Sequence, residues 1–353
     1  MSNGDDNNTL LVNPSCLEGL EILSKHNLIL LKTAPVDILQ PGNGVLGIYA
    51  DPTHPSSTAT ISDDAPNSSL QSAWNPDKVT FDDGVVVSLD LGGKRLHRGF
   101  PCDPTLVFST FVSSLTTLNL AGTDIPLDDC LAIFRVLLLQ SSDDDGRSSS
   151  ILQNLYLGGN GLGSKGASAI AASGILLHSL TKLDLRYNDI DCGGIAAICN
   201  ALLETNNDDD SDKNNRNNIH HLYLEGNYFG DEGCAPLSKL LSSPNCSIRE
   251  IYLGQNRIGP AGARFLASSL RSNNTLTKMY LEGNQIGEEG AAAFCEMMEG
   301  RREEAEAAAG AATTTAMTSP LKHLYVDNNN IGKEMSNRLA RALGNDNAIA
   351  DIS

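Results

Sequence analysis

The chain is poor in positive charge, in aromatic rings and in long apolar runs. Lysine and arginine number 25 against 43 aspartates and glutamates, a formal net charge of −18. Nucleic acid and anionic membrane surfaces both need a basic footprint that displaces counterions, so neither is expected as a partner. No apolar run approaches the roughly 18 residues that span a bilayer, and no lipidation motif stands at either end. The N-terminus, Met1-Ser-Asn-Gly-Asp-Asp, has neither the basic nor the apolar region of a secretory signal. Eight cysteines contain no Cys-x-x-Cys pair and no regular framework. These absences predict a chain of a reducing compartment, cytoplasmic by expectation, in which the sequons at Asn7, Asn67, Asn245 and Asn273 carry no sugar.

What is abundant is repetition. The stretch Ile248-Arg-Glu-Ile-Tyr-Leu-Gly-Gln-Asn-Arg-Ile-Gly-Pro-Ala-Gly-Ala263 returns 28 residues later as Leu276-Thr-Lys-Met-Tyr-Leu-Glu-Gly-Asn-Gln-Ile-Gly-Glu-Glu-Gly-Ala291. Self-similarity at such a period is the signature of a solenoid. Eight copies begin at Val86, Leu115, Leu152, Leu180, Ile219, Ile248, Leu276 and Leu321. Three spacings are long because of biased inserts at 141–150, 206–218 and 300–318. The first two are expected as surface bulges, and the Ala/Glu-rich third as a bulge or a lengthened helix.

The pattern L-x-x-L-x-L-x-x-N-x-I/L, followed by G-x-x-G-A, resembles that of leucine-rich repeats of the ribonuclease-inhibitor-like class. What the resemblance implies is an α/β horseshoe, a leucine-rich-repeat solenoid with a parallel sheet on its concave face and helices on its convex face. Residues 102–353 are read as repeats of that type. Residues 73–101, with Trp74, a hairpin turning at Asp83-Gly84 and Leu96-His-Arg-Gly-Phe-Pro101, resemble the cap and first repeat of plant-type leucine-rich repeats. Residues 1–72 are read as an N-terminal segment: a polar start, a helix opening at Asn13-Pro14 with Leu17, Leu20 and Leu23 on one face, short strands at 28–31 and 45–49, and a linker at 51–72.

Within each unit the two strand leucines point to one face and the residue between them to the other. An asparagine ends the strand where its amide can bond backbone groups opened by the bend: Asn160, Asn188, Asn227, Asn256, Asn284 and Asn329. Lys94 and Thr123 replace it in the first two units. Each helix carries a buried stripe at i, i+3, i+4 and i+7, such as Ala263, Leu266, Ala267 and Leu270. Cys199, Cys234 and Cys295 fall on such stripes and read as small core residues.

Two motifs dissolve into the repeat. Gly161-Leu-Gly-Ser-Lys-Gly166 matches G-x-G-x-x-G after a strand, but Gly163 and Gly166 are the repeat glycines found again at Gly259/Gly262 and Gly287/Gly290. His221 and His323 share a column three strands apart, roughly 14 Å at ~4.8 Å per strand, too far to share a metal. No cofactor and no catalytic or metal-binding group is predicted.

One column exceeds what the repeat needs. The outward residue between the strand leucines is Tyr156, Asp184, Tyr223, Tyr252, Tyr280 and Tyr325, which uses five of the chain's eight tyrosines. At strand spacing, Tyr223, Tyr252 and Tyr280 should form a continuous aromatic strip. Beside it run Arg186, Glu225, Glu282 and Asp327, and on the other side Lys182, His221, Glu250, Lys278 and His323. Aromatic rings among charges resemble interface hot spots. Tyrosine is also a good strand former, which accounts for such a column without any partner.

The expected function is a non-enzymatic protein–protein interaction module, a scaffold or regulator, monomeric, binding a protein that is basic or a small GTPase. Tyr156, Asp184, Arg186, Tyr223, Glu225, Tyr252, Tyr280, Glu282, Tyr325 and Asp327 are the candidate contacts. A GTPase-activating protein of the Ran type is the alternative the resemblance allows. The acidic C-terminal tail usual in that family has no counterpart here, and that family's functional residues are not placed on positions of this chain.

Overall fold

The computed structural model describes residues 13–26, 78–82, 85–139, 151–177, 179–204, 218–310 and 321–343. The strands expected at 28–31 and 45–49, Trp74, the 83–84 turn, the first insert, nearly all of the second and the end of the third lie outside these. The chain forms two compact units, 1–152 and 153–353.

In the first unit, β1 (Val79–Asp82) pairs antiparallel with β2 (Val85–Asp90), Asp82 lying opposite Val85. This is the hairpin expected around Asp83-Gly84. β3 (Thr117–Asn119) joins β2 in parallel, with Leu89 opposite Leu118. Helix α1 (Pro14–Lys25) starts where the Asn13 side chain accepts from the Ser15 N–H at 3.0 Å. Its buried face is Cys16, Leu20 and Leu23, with Leu17 only half-buried. Cys16 rather than Leu17 points inward, at i, i+4 and i+7 with Leu20 and Leu23, and its thiol contacts the Thr110 carbonyl and the Ser114 hydroxyl. A Cβ on Gly19 would stand 2.1 Å from the Thr110 hydroxyl, so α1 lies directly on the 110–111 turn. Two further helices, α2 (Pro104–Phe108) and α3 (Leu127–Leu139), complete the unit. Phe108, Phe111 and Phe134 are fully buried in it.

The second unit alternates strand and helix throughout. Strands β4 (Asn154–Tyr156), β5 (Lys182–Asp184), β6 (His221–Tyr223), β7 (Glu250–Tyr252), β8 (Lys278–Tyr280) and β9 (His323–Tyr325) pair in parallel and in one register. The row Leu155, Leu183, Leu222, Ile251, Met279 and Leu324 is buried beneath helices α4 (Gly163–Ala172), α5 (Cys192–Glu204), α6 (Gly230–Leu241), α7 (Pro260–Ser269), α8 (Gly287–Gly310) and α9 (Lys333–Ala342). Parallel neighbours need a crossover connection, and α4 to α8 each supply one, α9 following the last strand.

The strands are short because the asparagines end them. Asn188, Asn227 and Asn256 are wholly buried, and each side-chain oxygen accepts from the backbone of the preceding unit: Asn160 N to Asn188 Oδ1 at 3.1 Å, Asn188 N to Asn227 Oδ1 at 3.1 Å, Asn227 N to Asn256 Oδ1 at 2.9 Å. Each Nδ2 in turn donates to strand-end carbonyls, as Asn256 does to Leu224, Leu253 and Gly254, all at 3.0 Å. The helix stripes are buried as the periodicity requires, Cys199, Cys234 and Cys295 included. Helix α8 extends to Gly310, so the third insert begins by lengthening a helix.

Candidate partner-binding face

The strand pattern of half-buried, buried, half-buried puts the tyrosines on the sheet face turned away from the helices. There Tyr223, Tyr252, Tyr280 and Tyr325 stack as a ladder. Ring centroids are 4.3, 4.1 and 4.5 Å apart and the planes are inclined by 19°, 6° and 7°. The spacing follows from the strands beneath, which lie ~4.8 Å apart. Because the rings occupy one another's faces, the ladder presents their edges rather than their faces. It also includes Tyr325, one rung beyond the three tyrosines expected to be continuous.

Asp184 departs from its column. It occupies the register position between Tyr156 and Tyr223, but its side chain is buried. Arg186 covers it with a forked contact, Nη2 to Oδ2 at 2.7 Å and Nε to Oδ1 at 3.0 Å. Asp184 is therefore no outward contact, because its carboxylate is consumed within the chain. It also separates Tyr156 from the ladder. The Arg186 guanidinium lies 5.3 Å from the Tyr223 ring centroid and closes that end of the stack.

The flanking columns differ in charge. On one side Glu250 accepts from the Tyr252 hydroxyl at 3.0 Å, meets Lys278 at 2.9 Å and faces His221 at 3.4 Å. Against the opposing effect of burial, these neighbours hold the Glu250 carboxyl below its ordinary value. Burial, the Tyr280 hydroxyl and Glu250 push the Tyr252 phenol up, so it stays neutral and keeps its proton for hydrogen bonding. On the other side stand Glu225, Gly254, Glu282 and Asp327. Burial, together with Asp327 and Glu225, raises the Glu282 carboxyl. A cleft of about 400 Å³ opens here, lined by Glu225, Tyr252, Gly254, Gln255, Tyr280 and Glu282, with Gly283 and Asn328 at its edge.

Three aromatic and basic residues at the rim were not singled out from the sequence. Tyr187 and Tyr228 are about half exposed, at 50% and 49%. The Tyr187 hydroxyl donates to Glu225 at 2.9 Å, and the Arg257 guanidinium lies 4.4 Å from the Tyr228 ring centroid. Tyr187 packs so closely on Gly226 that a Cβ there would lie 2.1 Å from its ring, and Gly226 also holds a φ of +70°. The available signal was position: both tyrosines adjoin a ladder asparagine, at a turn whose backbone is fixed. Among the described residues, no three histidine, cysteine, aspartate or glutamate side chains group closely enough to hold a metal ion, and no helix is long and apolar enough to cross a membrane.

The family model described as leucine-rich repeat matches residues 148–171, 177–199, 245–267 and 272–295. Pig (Sus scrofa) ribonuclease inhibitor is 30% identical over 215 residues, which is 59% of this chain and 42% of that protein. Human (Homo sapiens) NACHT, LRR and PYD domains-containing protein 5 is 30% identical over 171 residues, 48% of this chain and 13% of that one. The chain thus spans less than half the length of these relatives. Among solved structures, a leucine-rich repeat-containing protein of Legionella pneumophila overlaps 75% of this chain and 92% of its own at 17% identity and a TM-score of 0.32, a likeness without functional weight. The in-register strands and the asparagine ladder make the chain a leucine-rich-repeat solenoid, with repeats similar in sequence to those of ribonuclease inhibitor.

Proposed function

We propose that the chain is a non-enzymatic interaction module whose tyrosine-bearing sheet face binds a protein partner. The observation that carries this reading is the four-ring ladder, half-exposed on a sheet face that no described element covers. A rigid aromatic surface loses little side-chain entropy on binding, and aromatic residues dominate interface energetics. Leucine-rich-repeat proteins generally serve as protein-interaction modules, and one matched relative is by name an inhibitor of ribonuclease, which is consistent with the reading. The matched relatives lend no support to a GTPase activator of the Ran type.

The test is affinity capture with the full chain, followed by the same capture with Tyr223, Tyr252 and Tyr280 changed to Ser. Loss of the captured protein, with the circular dichroism melt preserved, is the expected outcome. Capture at unchanged affinity would remove the ladder from the interface.

A further inference from the structure

Resting on that reading of the face, we propose that the cleft at Gly254 receives an arginine side chain of the partner, its guanidinium seated between Glu225 and Glu282 against the edges of Tyr252 and Tyr280. Three observations converge on this chemistry. The column beside the ladder runs Arg186, Glu225, Gly254, Glu282, so no side chain stands between the two carboxylates; Glu225 leans in until its Cγ is 3.4 Å from where a Cβ on Gly254 would stand, and the cleft of about 400 Å³ opens beside it. Three nearby basic groups are already engaged: Arg186 of the same column holds Asp184, while Lys278 and His221, across the ladder, face Glu250. Glu225 and Glu282 form no ion pair among the described residues, and Glu282 is raised by burial and by its acidic neighbours. Lastly, the same face already holds one guanidinium in this way. Arg186, two strands before Gly254 in the same column, lies over a tyrosine ring with its fork on a carboxylate.

Charge and shape select the occupant. An anionic or neutral side chain would leave two partly buried carboxylates uncompensated, which is costly. Glu225 and Glu282 spring from strands two apart, roughly 9.6 Å at ~4.8 Å per strand. A planar guanidinium with five donors reaches toward both and lies flat against the tyrosine edges. A compact ammonium is more strongly hydrated and reaches fewer acceptors.

The probe is a fluorescein-labelled peptide of alternating glycine and arginine, with glycine–lysine and glycine–glutamate peptides of equal length. Each is titrated into the full chain at low salt and read by anisotropy. The arginine peptide should bind most tightly. Glu225→Gln with Glu282→Gln should weaken it by about tenfold or more, as expected for lost charge-assisted hydrogen bonds. Glu296→Gln with Glu303→Gln, the same change of charge on exposed positions of α8, should weaken it by less than about twofold, since exposed charges are screened. Equal weakening by both pairs, or lysine binding as well as arginine, would overturn the assignment. Repeating the capture of the preceding test with the Glu225/Glu282 variant separates the two readings. A partner lost to the tyrosine variant but kept by this one leaves the binding face standing and overturns the arginine site. A partner indifferent to both removes both.

Discussion

The Asn256 side-chain amide accepts from Asn227 N and directs its two N–H groups at three carbonyls, one hydrogen shared between two of them. All of these groups are shut away from water; removing the amide orphans the Asn227 N–H and takes one donor from each carbonyl, leaving Leu224 O to Asn227 Nδ2, Leu253 O to Asn284 Nδ2 and Gly254 O to Gly226 N. Asn256→Ala is expected to lower the unfolding free energy by about 3 kcal/mol, read by urea denaturation. Thr123 stands at the equivalent position of the second unit, and its hydroxyl, which donates to Leu120 O at 2.8 Å, carries one donor hydrogen where the amide carries two. Thr123→Ala should therefore cost nearer 1 kcal/mol. A second residue-level prediction concerns Cys130, whose thiol is raised from 9.0 to about 12 by burial and by Asp129. The raised folded value means the neutral thiol is favoured in the native state. Its contribution is full below pH 9 and declines as pH climbs from 9 toward about 12, where the unfolded chain ionises first. Cys130→Ser should flatten that alkaline fall in an unfolding series. The asparagines and core cysteines were legible because the repeat exposes them as columns. The burial of Asp184 was not, because it depends on Arg186 folding back over it, which strand alternation does not encode.

At the scale of elements, α8 is the most informative departure. The sequence marks 300–318 as a biased insert, yet Arg301 within it is buried and bonds the Leu270 and Asn273 carbonyls, the latter at 3.0 Å. These carbonyls belong to the chain just past α7, where helix-end acceptors lack partners of their own. Arg301→Met should leave them unsatisfied and destabilise the unit by about 2 kcal/mol, measured by thermal unfolding. An Ala/Glu-rich composition announces helix but not which of its charged residues turns inward. The stripes of α5, α6 and α7 needed no such correction, since their period alone decides which face is covered. Helix α1 was legible as a helix from Asn13-Pro14. Its docking on the 110–111 turn was not, because that contact links positions some 94 residues apart.

For the molecule as a whole, the net charge of −18 acts through long-range attraction. If the bound partner presents arginine, the association rate should fall as sodium chloride rises from about 0.05 to 0.5 M, while dissociation changes less. Stopped-flow mixing of the full chain with the glycine–arginine peptide checks this, and a rate independent of salt would contradict it. By itself the sequence determined the repeat, its register, the strand and helix faces and the tyrosine column, because a period repeated eight times fixes which positions are equivalent. Only the tertiary structure decided that four tyrosines stack face to face, that Asp184 is withdrawn, that Tyr187 and Tyr228 stand at the rim, and that Gly254 opens a cleft. Those outcomes depend on rotamers and on space between neighbouring units, and a column of letters does not specify how side chains from adjacent strands share the volume above them.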